Sequence, residues 1–215
     1  MTTTRNFEQL LKWGQVGETA IACWIRQQGY SVLPAYDIPL DTGKGPRLYT
    51  SFASAYSQLV APDLLAMSGE KIQWVEAKRK TRFTWRRIPT GRWQTGIDLR
   101  HYHQYLKVKE ETHIPLWIMF LHMSSEPSAS DLAHGCPPSC PTGLFGNEIT
   151  YLEENKSHED SYTSSYGRSY PMVYWDIKHL MPRNRPLATL EDVLATQPTP
   201  PDGTDDDAFD IDISF

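Results

Sequence analysis

Three side chains stand out by type and spacing: Asp63, directly after Pro62, and Glu76 and Lys78, two residues apart further along. Hydrolysis of a phosphodiester needs carboxylates that hold a divalent cation, a water made nucleophilic near neutral pH, and positive charge where negative charge develops. Magnesium is content with one or two protein carboxylates and several waters. Two acids and an ammonium therefore suffice, provided that the chain brings them together. Leu59 to Met67 and Lys71 to Lys80 read as strands separated by Ser68-Gly69-Glu70, which predicts a closely paired antiparallel hairpin. Alternation then sets Ile72, Trp74, Glu76 and Lys78 on one face and Gln73, Val75, Ala77 and Arg79 on the other.

The flanking elements follow from periodicity. Phe7, Leu11, Gly14, Glu18, Ile21 and Ile25 recur at steps of three or four, so Phe7 to Gln28 reads as an amphipathic helix with Glu18 on its apolar side. Gly29 ends that helix, and Tyr30 to Ile38 reads as a strand. A polar insertion, Asp41 to Ser57 with Lys44 and Arg47, suits a substrate-contacting loop and an inert exposed loop equally well. Asp98 is placed to cap a helix from Leu99 to Glu111, followed by a buried strand from Ile114 to Met123. From Ser124 to about Tyr170 the composition predicts an irregular excursion with a strand-like island at Glu148 to Leu152. Met172 to Ile177 reads as a strand, Leu187 to Ala195 as a helix and Thr196 to Thr204 as a linker. The expected fold class is α/β, a central mixed sheet of four to five strands flanked by helices. One domain is expected over residues 1–195, with a core at about 7–123, the excursion at about 124–170 and a closing strand and helix at 171–195. Residues 196–215 form the linker and an acidic tail.

Pro62-Asp63, twelve intervening residues and then Glu76-Ala77-Lys78 resemble the signature of the PD-(D/E)XK, or restriction-endonuclease-like, nucleases. The likeness covers roughly Phe7 to Met123 and extends to the element order αβββαβ, and Gly17-Glu18 matches the family's glutamate on the first helix. It implies that Asp63 and Glu76 ligate Mg²⁺ or Mn²⁺ with the Ala77 carbonyl, and that Glu18 acts directly or through a water. It also implies that Lys78 orients the attacking water and offsets transition-state charge. Structure-selective members, Holliday-junction resolvases among them, share the compact core, and many relatives work as homodimers. The implied activity is metal-dependent, endonucleolytic cleavage of DNA, with RNA left open. The alternative is a catalytically silent nuclease-like module that binds nucleic acid or protein, its acidic tail docking a partner.

The net charge of −5 at first argues against such a substrate. Six of the 26 acidic residues, however, lie from Asp202 onward, leaving 20 against 21 basic ones in the body. Between Ala77 and Ile97 stand Lys78, Arg79, Lys80, Arg82, Arg86, Arg87 and Arg92 without an acid. Trp85 and Trp93 interleave with those arginines, a mixture suited to stacking on bases while guanidinium groups meet phosphates, or to core packing. On the following helix Leu99, Tyr102, His103 and Leu106 are read as facing inward, with Gln104 outside; Tyr102 is the favoured minor contributor to the site.

Three cysteines, Cys23, Cys136 and Cys140, cannot all pair within the chain, and no apolar leader or membrane-length run precedes or follows them. A reducing, cytoplasmic setting without membrane contact is the expectation, nucleoid-associated in a bacterium. His134, Cys136 and Cys140, with His122 as a fourth candidate, are a poor match to structural zinc spacing, and a proline-rich loop with incidental thiols is favoured over Zn²⁺. The end, from Asp205 to Phe215, alternates acids with apolar residues and resembles the tails of bacterial single-stranded DNA-binding proteins. That implies docking on a replication or repair protein or folding over a basic groove, against a solubilising tail.

Overall fold

Helix α1 (Thr3–Gln27) stops where Gly29 takes φ +86°, a left-handed conformation that glycine adopts without strain. The computed structural model describes residues 3–34, 47–49, 58–87, 91–163 and 169–196. After α1 come β1 (Ser31–Pro34), β2 (Arg47–Tyr49), β3 (Gln58–Val60), β4 (Leu64–Ser68), β5 (Lys71–Lys80), β6 (Thr84–Arg86) and β7 (Arg92–Asp98). Then follow α2 (Leu99–Thr112), β8 (Leu116–His122), α3 (Ala129–Ala133), β9 (Gly143–Glu148), α4 (Ile149–Glu154), β10 (His158–Thr163), β11 (Ser169–Asp176) and α5 (Leu190–Leu194). Apart from Arg47–Tyr49, the Asp41 to Ser57 insertion lies outside the described residues, as do the end of the first predicted strand and the tail beyond Thr196.

The central sheet has five strands in the order β1-β4-β5-β8-β9. β5 pairs antiparallel with β4 and parallel with β8, the crossover between them running through β6, β7 and α2. This is the mixed, helix-flanked sheet expected from the sequence, and α1-β1-β4-β5-α2-β8 carries the αβββαβ order with short strands inserted. One face buries Leu64, Ala66, Val75, Ala77, Met119 and Leu121 against Ala20, Ile21 and Ile25 of α1 and Val193 of α5. The other buries Ile118 and Phe120 against Tyr102, Tyr105 and Val108 of α2 and against a second sheet, β10-β11-β7-β6, through Trp93, Ile97, Val173 and Trp175. Burial of that much apolar surface on both faces is the main favourable term holding the layers together.

The excursion after Ser124 is a correction. It is not irregular: it supplies β9, the fifth strand of the central sheet, and β10, an edge strand of the second sheet. β9 reads Gly-Leu-Phe-Gly-Asn-Glu and its first four residues are buried, so it shows none of the alternation that marks a half-exposed strand. Gly146 is required there, because a Cβ would overlap the Ile118 carbonyl oxygen. The strand-like island is helix α4, in which Ile149 and Leu152, three apart, share the buried side. β6 and β7 were likewise unread, hidden inside the basic run.

Helix α1 lies unusually close to β5. A Cβ on Gly17 would overlap the Cβ of Arg79, an atom fixed by the strand backbone and not the tip of a flexible side chain. Gly17→Ala is therefore expected to push the helix off the sheet and destabilise the protein by about 1 to 3 kcal/mol, the usual cost of overpacking. Equilibrium denaturation in urea gives the midpoint that checks it; an unchanged midpoint would show that the helix has room to spare.

Candidate active site

The register of β5 creates the site. Strand β4 accompanies it only from Lys71 to Val75, whereas β8 runs beside it from Trp74 to Lys80 on the opposite edge. Past Val75, the edge that faces β4 has no strand partner among the described residues. Asp63, the last residue before β4 and itself buried, places its carboxylate in that gap, where Oδ2 accepts a hydrogen bond from the Ala77 amide at 2.9 Å. A strand residue sends its amide and carbonyl to the same side, so the Ala77 carbonyl opens into the same gap.

Glu76 and Lys78 share the opposite face of β5 from Val75 and Ala77, as alternation required. Lys78 Nζ lies 3.7 Å from Asp63 Oδ2 and is ion-paired with Glu76 Oε1. The Tyr105 hydroxyl, two turns into α2, donates to Glu76 Oε1 at 2.6 Å. Glu76 has no solvent exposure, and its second oxygen, Oε2, is buried without a hydrogen-bond partner. An unpartnered buried carboxylate oxygen is costly and calls for an explanation.

The electrostatics reflect that crowding. Burial, reinforced by the charge of Asp63, pushes the Glu76 carboxyl up to about 8 against the pull of Lys78 and Tyr105. Glu18 is raised to about 7 by burial and then by Asp63, with Lys78 opposing, which places it within electrostatic reach of both groups. Gly14, one turn before it on α1, leaves room beside its carboxylate: a Cβ there would sit 4.0 Å from Glu18 Oε1. Burial alone would depress Lys78, but Asp63, Glu76 and Glu18 outweigh it and hold the ammonium above its ordinary range. Asp63, Glu76 and Lys78 are thus in contact, and Glu18 lies within electrostatic reach of Asp63 and Lys78. Among the described residues, no three His, Cys, Asp or Glu side chains converge closely enough to hold a metal ion by themselves.

The predicted nucleic-acid contacts fare differently. Lys80 continues the Glu76-Lys78 face and is half-buried; burial, then the charge of Lys78, lowers it to about 8. Arg82 is half-buried and Arg87 exposed. Arg86 Nη1 donates to Ser157 Oγ at 2.5 Å, Ser157 Oγ donates to Asp176 Oδ1 at 3.0 Å, and Arg92 Nη1 meets Asp176 Oδ2 at 2.9 Å. Arg86 and Arg92 are thereby committed to tying the second sheet together. Trp93 is a correction: it is buried in the core and edge-on to Trp85, with ring centroids 5.0 Å apart, so it has no face to offer a base. Trp85 is half-buried and packs over Gly91. Tyr102 is a second correction. It is fully buried against Trp175 and bonded to Glu153, away from Glu76.

Helix α2 begins as predicted, with Asp98 Oδ1 accepting from the Arg100 amide at 2.8 Å. Its buried row is Tyr102, Tyr105 and Val108, rotated from the expected one, while His103 is exposed and Gln104 accepts from the Val60 amide at 3.2 Å. The sequence reading favoured Tyr102 as the contributor, whereas Tyr105, three residues on and on the same side, is the one that reaches Glu76. His134 is exposed, Cys136 half-buried and Cys140 buried, and His122 stacks on Phe83 at 3.6 Å between ring centroids.

Comparison with known proteins adds little. No protein-family model matches the chain, and no curated protein does. Among solved structures it is similar to the Holliday junction resolvase Hjc of the archaeal hyperthermophile Archaeoglobus fulgidus. That match has a TM-score of 0.40 and 8% identity, over 78% of this chain and 86% of that one. No helix among the described residues is long and apolar enough to cross a membrane.

Proposed function

We propose that this chain is a divalent-metal-dependent nuclease of the PD-(D/E)XK type that hydrolyses DNA phosphodiester bonds endonucleolytically. The observation that carries the reading is the convergence of Asp63, Glu76 and Lys78 where β5 loses its β4 partner, with Glu76 Oε2 buried and unpartnered. That oxygen, the Asp63 carboxylate and the Ala77 carbonyl suit a hard cation, which takes oxygen donors and keeps several waters. Asp63, Glu76 and the Ala77 carbonyl would hold Mg²⁺ or Mn²⁺, with Glu18 reaching it through water. When bound, the ion would screen the charge developing on the phosphate and acidify the attacking water.

The chain's own groups do the rest. Tyr105 fixes the rotamer of Glu76 by its hydrogen bond, so that Oε2 stays aimed. Asp63 is held in place by the Ala77 amide. Lys78 is the one cation among these groups and is partly exposed; it would hold the attacking water and oppose the charge developing on the phosphate. The test is cleavage of linear, single-stranded, supercoiled and branched DNA by the full chain in Mg²⁺, Mn²⁺ and EDTA. Cleavage confined to the metal-containing reactions is expected; no product from any substrate under any condition would leave a nuclease-like binding module in its place.

A further inference from the structure

Asp63 and Glu76 are buried, and a phosphate must be met from the open side. Asp63 is 6% exposed, Glu76 fully enclosed and Tyr105 nearly so. Among the side chains around them Lys78, 30% exposed, and His101, exposed, reach solvent, and Glu18 is half-buried. His101 stands one turn before Tyr105 on the same side of α2, their rings 6.3 Å apart between centroids and tilted by 43°. Tyr105 in turn holds Glu76, so the imidazole stands one helical turn from the residue that fixes the buried carboxylate. It senses the charges of both Lys78 and Asp63; crowding of the ring, then Lys78, keep its proton affinity below that of a free histidine.

Its neighbours on the helix are otherwise engaged. Arg100 is bound to Asp98 by Nε at 3.3 Å and Nη2 at 3.0 Å, Tyr102 to Glu153, and Gln104 to Val60. His101 has no hydrogen bond or ion pair to the rest of the chain among the described residues. An exposed imidazole with a free N–H, within electrostatic reach of Lys78 and Asp63, offers a donor to a phosphate that approaches Lys78.

Resting on the nuclease reading, we propose that His101 is a substrate-contacting residue that donates a hydrogen bond to a non-bridging oxygen of the phosphate undergoing attack. It takes no part in holding the cation. It also makes no covalent bond: its task is to align the phosphorus with the attacking water and to share the charge that accumulates there. Loss of one hydrogen bond to a charged oxygen lowers a rate by about 10- to 100-fold.

The experiment compares wild type with His101→Ala and His101→Asn, full chains, on whichever DNA the wild type cleaves. Cleavage kinetics, Mn²⁺ affinity by calorimetry and the thermal midpoint are measured for each. His101→Ala is expected to lose about 10- to 100-fold in kcat/KM with Mn²⁺ affinity and midpoint unchanged, and His101→Asn, which keeps a donor, to recover most of the loss. Wild-type kcat/KM in His101→Ala overturns the proposal, as does a loss matched by weaker Mn²⁺ binding or a lower midpoint. Should the wild type cleave no DNA, the nuclease reading itself falls and this contact with it. Cleavage by wild type with an indifferent His101→Ala removes the contact alone.

Discussion

Asp63→Ala and Lys78→Ala are each expected to slow metal-dependent DNA cleavage by about three orders of magnitude, for different reasons. Asp63 is one of the carboxylates that would hold the cation, and its Oδ2 also satisfies the Ala77 amide at 2.9 Å. Its removal weakens metal binding and leaves that amide unpaired. Lys78 would compete with a cation for the same oxygens, since its Nζ contacts Glu76 and lies 3.7 Å from Asp63. Truncating it leaves metal affinity intact or tighter while the charge that opposes the phosphate disappears. Calorimetric titration with Mn²⁺ beside a fluorescent cleavage assay separates the two: weaker binding in Asp63→Ala, undiminished binding in Lys78→Ala, negligible turnover in both. Near-normal cleavage by either variant would mean that the phosphate is attacked elsewhere.

Glu76→Gln is expected to abolish cleavage and yet stabilise the metal-free protein at alkaline pH. In the folded state Glu76 is raised to about 8 and Glu18 to about 7, whereas an unfolded glutamate titrates near 4.5. Folding therefore favours the protonated acids. Their contribution to stability is complete below about pH 4.5 and is lost as the pH climbs through 7 and 8, because the unfolded chain releases protons that the folded one retains. The metal-free protein should melt at progressively lower temperature between pH 5 and pH 8, and Mn²⁺ should reverse the decline by binding the ionised acids. Glutamine has the same shape and no charge to bury. At pH 8 without metal, Glu76→Gln should melt above wild type by roughly 3 °C or more, since 1 kcal/mol moves a domain of this size by about 2 to 4 °C. A flat pH dependence of the wild-type midpoint would show that the carboxylates are solvated after all.

Such a trade of stability for a poised charge is common at functional positions, and it explains which parts of this molecule could be read in advance. Asp63, Glu76, Lys78 and Glu18 were legible because strand alternation and helical periodicity are local rules, and a charged residue on an apolar face breaks the pattern visibly. The hairpin of β4 and β5 and the capped start of α2 followed from equally local turn and cap chemistry. β9 was not legible, since a strand buried on both faces and built around Gly146 alternates in nothing. The fate of the arginines was equally hidden. Whether Arg86 and Arg92 face solvent depends on Asp176 and Ser157, residues far along the chain that only tertiary structure brings alongside. Trp93 was lost to the core for a similar reason: it lies on β7, a strand hidden inside the basic run, and only the pairing of β7 with β11 shows the sheet that packs it inward.

The parallel pairing of β5 with β8 also governs when the site can exist. Glu76 sits beside Ile118, about forty positions later in the chain, and nothing holds its carboxylate against the Tyr105 hydroxyl until the intervening crossover has closed. During synthesis the acids emerge early as separate, well-hydrated groups with ordinary acidity and little affinity for a cation. The candidate site is thus a late product of folding, and a chain that has not yet made its last central strands carries its side chains without their arrangement.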